Sequence, residues 1–180
     1  MLPYPISLLP LTLAHHVDAL QQVYRRTPRY WQRYNFAGAP AGQAENDLKL
    51  AAETPGRTLL GIARPFINPE MPQGIQIIGM IDLRLHWPGQ TVASLGMIMV
   101  AEPFQRQGVA TQAWGLLKPW LAASAGMHKV RLGVEQFNPG SLKFFEAIGF
   151  SITGETARIK EGDKFVRLIY MEQELLSQES

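Results

Sequence analysis

The stretch that most constrains this chain is VAEPFQRQGVATQAWGLLKPW, residues 100–120. An apolar run, TVASLGMIMV at 91–100, ends where it begins. A compact polar turn carrying Gln105, Arg106, Gln107 and Gly108 then leads into a helical pattern. A strand that passes through a tight, glycine-bearing turn into a helix is a natural phosphate cradle. Successive backbone N–H groups converge, and the helix N-terminus adds partial positive charge. The near-continuous apolar character of 91–100 suggests a central strand buried on both faces.

The flanking sequence reads as an α/β domain built around that turn. A short strand is predicted at 6–9, between Pro5 and Pro10. Thr12 is placed to cap a helix with Leu13, Val17, Leu20 and Tyr24 on one face, and Pro28 stops it. Residues 43–53 form a second helix with Ala44, Leu48, Ala51 and Ala52 inward, broken by Pro55-Gly56. Strands at 57–66 and at 75–87, the latter bent at Gly79, flank a loop holding Pro69, Pro72 and Gly74. Pro88-Gly89 turns the chain into 91–100, so three strands in a row form an antiparallel meander.

Beyond the turn, 109–125 is helical, apolar at Leu116, Leu117, Trp120 and Leu121. Pro119 is a kink unless it starts a new turn, and Gly126 is a C-cap. Residues 128–134 alternate through Val130, Leu132 and Val134, and a strand–helix–strand unit of this length makes a right-handed parallel crossover. Asn138-Pro139 opens the next helix, with Leu142, Phe145 and Ile148 inward and Gly149 at its end. Strands at 150–159 and 165–171 surround the turn KEGDK, and the tail LSQES frays. The sum is one domain over residues 1–180, a mixed, mostly antiparallel sheet with helices on its faces.

Composition removes several functional classes. The chain has no cysteine, which excludes disulfides, thiolate metal sites and a cysteine nucleophile, and favours a cytoplasmic setting. Its histidines show no ligand spacing, so no metal site is expected. The net charge of +2 argues against nucleic acid as the main partner, despite an isoelectric point near 9.0. No run approaches the ~20 apolar residues of a membrane span. The opening residues lack the basic-then-apolar order of a secretory signal, because Pro3, Pro5 and Pro10 interrupt it.

The segment RYWQRYNF at 29–36 packs four aromatics and two arginines into eight residues, with Arg25 and Arg26 just before it. A basic, aromatic patch is one way to hold RNA. A second reading makes Tyr30, Trp31 and Tyr34 the wall of a substrate pocket. A third has the rings packing on the core while the arginines are solvated.

The order of features is specific: a meander, the cradle, a crossover helix, a strand, and an Asn-Pro helix ending in Ile-Gly-Phe. Here the residues resemble the GCN5-related N-acetyltransferase (GNAT) superfamily. Its central motif is similar to V-x-x-x-x-[QR]-x-x-G-x-[GA], matched by Val100, Gln105, Gly108 and Ala110. Its later motif is similar to N-x-x-[AS]-x-x-[FY]-[FY]-x-x-x-G-F, matched by Asn138, Ser141, Phe144, Phe145, Gly149 and Phe150. Within the superfamily the chain looks closest to the ribosomal-protein or amino-group acetyltransferase branch. The resemblance implies transfer of an acetyl group from acetyl-coenzyme A (acetyl-CoA) to a primary amine, either a small molecule or a peptide N-terminus.

The resemblance also implies residue roles. The amides of Gln105, Arg106, Gln107, Gly108, Val109, Ala110 and Thr111 would cradle the pyrophosphate, with the small Gly108 and Ala110 admitting it closely. The Thr111 hydroxyl and the Arg106 guanidinium would add to the phosphate contacts. The strand ending at Val100 would splay from the strand ending at Val134. The pantetheine arm would bond backbone groups of Ile98 and Val100 in that gap, with Asn138, Ser141 and Phe145 beyond it. Many members carry a proton-donating Tyr where this chain has Phe145, so Ser141 is the nearest substitute. A strand carboxylate common in the family is missing from ASLGMIM, leaving Glu135, Asp82 and Glu102 as candidate bases. Proximity alone supplies much of such a reaction's acceleration.

Two rivals stand beside catalysis. A relative that binds acetyl-CoA without turnover would act as a sensor or partner-binding module, a reading motivated by Phe145 and the missing strand carboxylate. RNA association through Arg25, Arg26, Arg29 and Arg33 is the other. For an enzyme, the basic or neutral character of RYWQRYNF and Arg84 favours an anionic or amphipathic small amine, or a peptide. The oligomeric state is left open, with a homodimer among the options.

Overall fold

A computed structural model describes residues 4–68, 71–161 and 163–175. The fraying assigned to residues 176–180, Pro69 of the first loop and Gly162 of the KEGDK turn lie outside the described residues. The elements are β1 (Ser7–Pro10), α1 (Val17–Arg25), α2 (Pro28–Arg33), α3 (Gln43–Glu53), β2 (Arg57–Asn68), β3 (Met71–Leu85), β4 (Val92–Val100), α4 (Val109–Ala123), β5 (Lys129–Glu135), α5 (Pro139–Ala147), β6 (Ser151–Glu161) and β7 (Lys164–Glu174). The strand order is β1-β2-β3-β4-β5-β7-β6, with one parallel pair, β4 and β5, among antiparallel neighbours. That is the mixed, mostly antiparallel α/β sheet expected from the sequence.

Residue contacts divide the chain into two compact units, 1–84 with 97–117, and 85–96 with 118–180. In the first unit, β2 runs antiparallel to β1 and to β3. The register between β2 and β3 slips at Ile62/Ala63, so Ile78 is bulged out beside Gly79. Gly79 has a packing reason to lack a side chain. A Cβ there would stand 2.5 Å from the Met99 carbonyl oxygen of β4. Helices α1, α2 and α3 bury Leu20, Val23, Tyr24, Trp31, Ala44 and Leu48 against Leu59, Met80 and Met99 of the strands. Gln21 is buried among them and satisfied at both ends. It donates to the Pro40 carbonyl at 3.0 Å and accepts from the Ala44 amide at 3.0 Å, covering an orphan donor at the start of α3.

In the second unit, β5 buries Val130, Leu132 and Val134 in alternation, as its sequence predicts. It pairs antiparallel with β7, and β7 with β6. The parallel register with β4 covers Val92↔Lys129 to Ser94↔Arg131. Asn138 caps α5, its side chain accepting from the Ser141 amide at 3.3 Å, with Pro139 in the first turn. Gly149 ends the helix at φ 103°. Gly126 (φ 67°) follows the end of α4, where the Met127 amide returns to the Leu121 carbonyl at 2.9 Å.

Several local expectations are corrected. Helix α1 begins at Val17 with His16 at its N-cap, not at Thr12. The Thr12 amide instead donates to the His16 imidazole at 2.9 Å, closing a turn that leaves Leu13 exposed. Ala52 of α3 and Leu116 and Trp120 of α4 face solvent, and Leu142, Phe145 and Ile148 of α5 are half-buried. Pro119, the expected kink, lies inside α4, which continues past it to Ala123. A proline ring crowds the carbonyl four residues back, and that position is the exposed Gly115, which has no side chain to restrict relief of the clash.

Candidate active site

The turn between β4 and α4 lies within the first unit. Residues Glu102–Phe104 form one 3₁₀ turn, and the Gln105 amide donates back to the Glu102 carbonyl at 3.2 Å. Two left-handed residues follow, Arg106 at φ 63° and Gly108 at φ 81°. The first helical bond of α4 runs from the Gln112 amide to the Gly108 carbonyl at 2.9 Å. Gly108 therefore stands at the N-cap, and the amides of Val109, Ala110 and Thr111 have no acceptor inside the helix. A Cβ on Gly108 would meet no atom within 4 Å, so glycine is favoured by its backbone angle and not by crowding from the protein. Residues 105–108 are exposed. An exposed, left-handed turn feeding an uncapped helix N-terminus suits an anion with several acceptor oxygens.

Two of the cradle positions carry a further duty. The Gln105 amide is already used, and its side chain donates to the Val100 carbonyl at 2.7 Å. Gln105 thus fastens the end of β4 to the turn, and one lone pair of the Val100 carbonyl is taken. Gln107 donates through its side chain to the Pro103 carbonyl at 3.1 Å, bracing the turn from the other side.

The first unit also holds a cavity of about 200 Å³. Its floor is the sheet: Arg57 and Leu59 from β2, Met80 and Asp82 from β3, Met97 and Met99 from β4. Residues two apart on a strand share a face, which explains these pairs. Its cover is helical: Tyr24 of α1, Tyr30 and Trp31 of α2, and Gln43 and Asp47 one turn apart on α3. Tyr30 and Trp31, expected as a pocket wall, do line it. Tyr34, expected with them, is not among the residues lining this cavity; its ring lies 5.1 Å from that of Tyr30. Trp31 is 5.0 Å edge-on to Tyr30 and 5.4 Å from Tyr24, and its indole N–H donates to the Tyr24 carbonyl at 2.9 Å. The exposed Arg25, Arg26, Arg29 and Arg33 are solvated around this packed aromatic group.

The polar groups of the cavity form two sets. Asp82 accepts from Arg57 through both oxygens, Nε to Oδ1 at 3.0 Å and Nη2 to Oδ2 at 2.7 Å. That pairing, outweighing burial, raises the Arg57 guanidinium above its ordinary value. Asp47 accepts from the Tyr24 hydroxyl at 2.7 Å and from the Gln43 amide at 2.9 Å. Burial, then the bond to Asp47, pushes the Tyr24 phenol far above its usual range, so it stays a neutral donor. Asp47, Tyr24, Gln43 and Arg57 were not singled out from the sequence. The only local signal was the four-residue spacing of Gln43 and Asp47, which reads equally well as a solvated helix face.

Glu102 is committed elsewhere. Its carboxylate accepts from the Arg29 amide at 2.9 Å, capping the start of α2, and its own amide donates to the Arg26 carbonyl at 2.8 Å. The remaining candidates belong to the second unit. Glu135 ends β5, and its carbonyl accepts from the Asn138 amide at 2.9 Å. Ser141 is held at its amide by Asn138, and Phe145 packs edge-on against Phe144 at 5.1 Å and the buried Phe150 at 5.5 Å.

Comparison with protein families matches residues 20–150 to the acetyltransferase (GNAT) family. The chain belongs to that family. The match takes in the cradle, the crossover helix and the Asn138 motif. No curated protein matches this acetyltransferase. Among solved structures, an acetyltransferase from Thermus thermophilus is 23% identical, with 97% of this chain and 100% of that one aligned at TM-score 0.72. A probable GNAT acetyltransferase from Chromobacterium violaceum is 17% identical over 94% of this chain and 82% of that one, at TM-score 0.76. A spermidine N-acetyltransferase from Vibrio cholerae, solved with CoA and spermine, is 14% identical over 94% and 95%, at TM-score 0.68. These likenesses establish the shared fold. The family establishes an acetyl-CoA-dependent N-acetyltransferase. Among the described residues no helix is long and apolar enough to cross a membrane, and no cluster of metal-ligating side chains occurs.

Proposed function

We propose that this acetyltransferase moves the acetyl group of acetyl-CoA directly onto a primary amine within a ternary complex. The observation that carries the reading is the left-handed pair Arg106 and Gly108 feeding the uncapped start of α4. The amides from Arg106 to Thr111 bind the pyrophosphate, and the Arg106 side chain and the Thr111 hydroxyl add to it. Backbone groups of Ile98 and Val100 take the pantetheine arm in this reading, and the later family motif assigns Asn138, Ser141 and Phe145 to the same cofactor. Acetyl-CoA supplies the thioester carbonyl. The amine nitrogen forms the new C–N bond as the C–S bond breaks. Of the two protons the substrate ammonium gives up, one passes to a base and the other to the departing thiolate.

Glu135 is the proposed base and the Ser141 hydroxyl the proposed donor to the thiolate, since Phe145 has no proton to give. Asp82 was a third candidate. With both oxygens held by Arg57, it acts in our reading as part of the acceptor wall with Tyr30 and Trp31. The absence of cysteine from the chain removes a cysteinyl acyl intermediate, which favours direct attack. Dependence on acetyl-CoA favours a cytoplasmic setting for the reaction. The aromatic lining and the cavity favour a small amine over the ribosomal-protein termini of the branch the motifs resemble.

Calorimetry with acetyl-CoA, followed by thiol release over a panel of amines, tests the reading. Cofactor binding with amine-dependent release of coenzyme A supports it. Binding without release on any amine identifies a sensor instead, and no binding removes both.

A further inference from the structure

We propose that the acceptor is a small primary amine with one positive charge and an apolar body, a single ring or short branched chain, and that Asp47 receives its ammonium group on binding, before the nitrogen gives up a proton and attacks. The inference rests on the acetyl-transfer reading and deepens it.

Three observations on the cavity lead there. The first is charge. Asp82 and Arg57 neutralise each other through a two-pronged bond. Asp47 makes no ion pair among the described residues, and its two bonds come from neutral donors, Tyr24 and Gln43. Each carboxylate oxygen can accept more than one bond, so both keep capacity for a further donor. The cavity therefore carries one net negative charge, because its two carboxylates share the single Arg57 guanidinium, and a partly buried excess charge is a standing desolvation cost that a bound cation relieves. The second is the wall beside it. Tyr30 and Trp31 present aromatic surface, which attracts an ammonium to ring faces and packs an apolar body. Met80, Met97, Met99 and Leu59 complete an apolar floor, and methionine adapts to irregular shapes. The third is size. A volume of about 200 Å³ lies below the ~300–1,000 Å³ of pockets for drug-sized ligands.

These features discriminate among amines. A linear polyamine brings several charges to a cavity with one to match, and its other ammonium groups would be desolvated on apolar floor. A peptide N-terminus brings backbone N–H and C=O groups that need partners among methionines and rings. An amine carrying a carboxylate meets Asp47 unfavourably and must compete with Asp82 for Arg57. The lone ammonium on an apolar body leaves nothing unpaired. Of the acceptors the sequence favoured, an anionic or amphipathic small amine or a peptide, this reading takes the amphipathic amine, and Asp47 is the group that tells against the anionic one.

The test uses the full chain with acetyl-CoA and three probes: benzylamine, spermidine and the dipeptide Ala-Ala. Thiol release reads turnover, and calorimetry in the presence of coenzyme A reads amine binding. Benzylamine is expected to be preferred over both others by at least about tenfold in kcat/KM. Asp47→Asn keeps the shape and the acceptor oxygen but removes the charge. It should weaken benzylamine binding about tenfold or more, with acetyl-CoA affinity unchanged. Met97→Trp fills the cavity and should abolish benzylamine binding without loss of acetyl-CoA, which keeps the proposal testable should Asp47→Asn fold poorly. Preference for spermidine or Ala-Ala, or benzylamine binding indifferent to both substitutions, overturns the acceptor class while leaving acetyl transfer standing. Asp47-dependent benzylamine binding without thiol release on any probe upholds the pocket and overturns the reaction.

Discussion

Arg57 and Asp82 are not direct partners across the β2–β3 ladder. Arg57 faces Arg84, and Asp82 lies two residues along on the same face. The diagonal reach of a long side chain joins them at 2.7 Å. Arg84 turns its guanidinium to the Pro55 carbonyl at 3.2 Å, which relieves the like-charge pair. The two partners are about one-fifth exposed, so solvent screens the attraction only in part. Arg57→Met should cost about 1–3 kcal/mol, because it leaves the Asp82 carboxylate half-buried without its donors. Adding Asp82→Leu should recover most of that loss, since an apolar pair leaves nothing unsatisfied. Denaturant midpoints of the single and double variants decide it. A double variant no better than Arg57→Met would show that the pair is not the unit that matters.

Gly108 is the point at which the cradle can be broken without touching the core. Its left-handed angle makes any side chain costly by about 1–2 kcal/mol, but no atom lies within 4 Å of a Cβ. Gly108→Glu should therefore remain folded by circular dichroism, with a modestly lower melting temperature. Its carboxylate would point where phosphate oxygens are expected, so acetyl-CoA affinity should fall by about a hundredfold or more. Unchanged affinity would refute the cradle assignment.

Acid should loosen the second unit through Glu172. Burial acts to raise this carboxyl, but bonds from Arg131 at 2.8 Å and Lys129 at 3.0 Å outweigh it and hold the group below its ordinary 4.5. A carboxylate depressed by folding binds fewer protons in the native state than in the unfolded one. Its contribution is thus fully present above 4.5 and is lost as pH falls through the lower folded value. Glu172→Gln should lower the denaturant midpoint at about pH 7, and the gap to the parent should close at about pH 3. A gap that persists in acid would assign the loss to packing and not to charge.

What was legible in the sequence was what backbone chemistry dictates locally. Gly108 and the polar residues before it announce a turn that few other residues could make, and Asn138-Pro139 announces a helix start. Both stand where the sequence put them. Local signals failed where two of them competed. Thr12 is a good cap residue, but its hydroxyl and its amide both meet the His16 ring and the helix begins later. Pro119 reads as a kink, and α4 runs through it to Ala123, with Gly115 one turn earlier softening the clash. The cavity was half legible. The aromatics of 29–36 drew notice by density, whereas Tyr24 fitted a core helix face and Asp47 a solvated one. Only the packing of three helices on three strands brings Tyr24, Asp47, Arg57 and Met97 together, and no spacing encodes that. The pairing of Arg57 with Asp82 is likewise a matter of register, which shows once β2 and β3 are aligned.

Glu102 separates a structural carboxylate from a catalytic one. It was a candidate base by position, two residues past the end of β4. In the structure its side chain caps α2 through the Arg29 amide, while its backbone holds the Arg26 carbonyl. It therefore joins the corner between α1 and α2 to the entrance of the cradle. The accompanying contact to the Arg29 guanidinium, at 3.9 Å with that side chain 83% exposed, adds little. Glu102→Gln retains an acceptor oxygen for the Arg29 amide and should leave stability and turnover near those of the parent. Glu102→Ala removes the cap, costing about 1 kcal/mol. Because α2 carries Tyr30 and Trp31, it should also raise the KM for the amine while sparing kcat. A base would behave otherwise: both substitutions would remove the proton acceptor, and kcat would collapse equally in each. Equal collapse of kcat in Glu102→Gln and Glu102→Ala would return Glu102 to the chemistry and displace Glu135 from the role proposed for it.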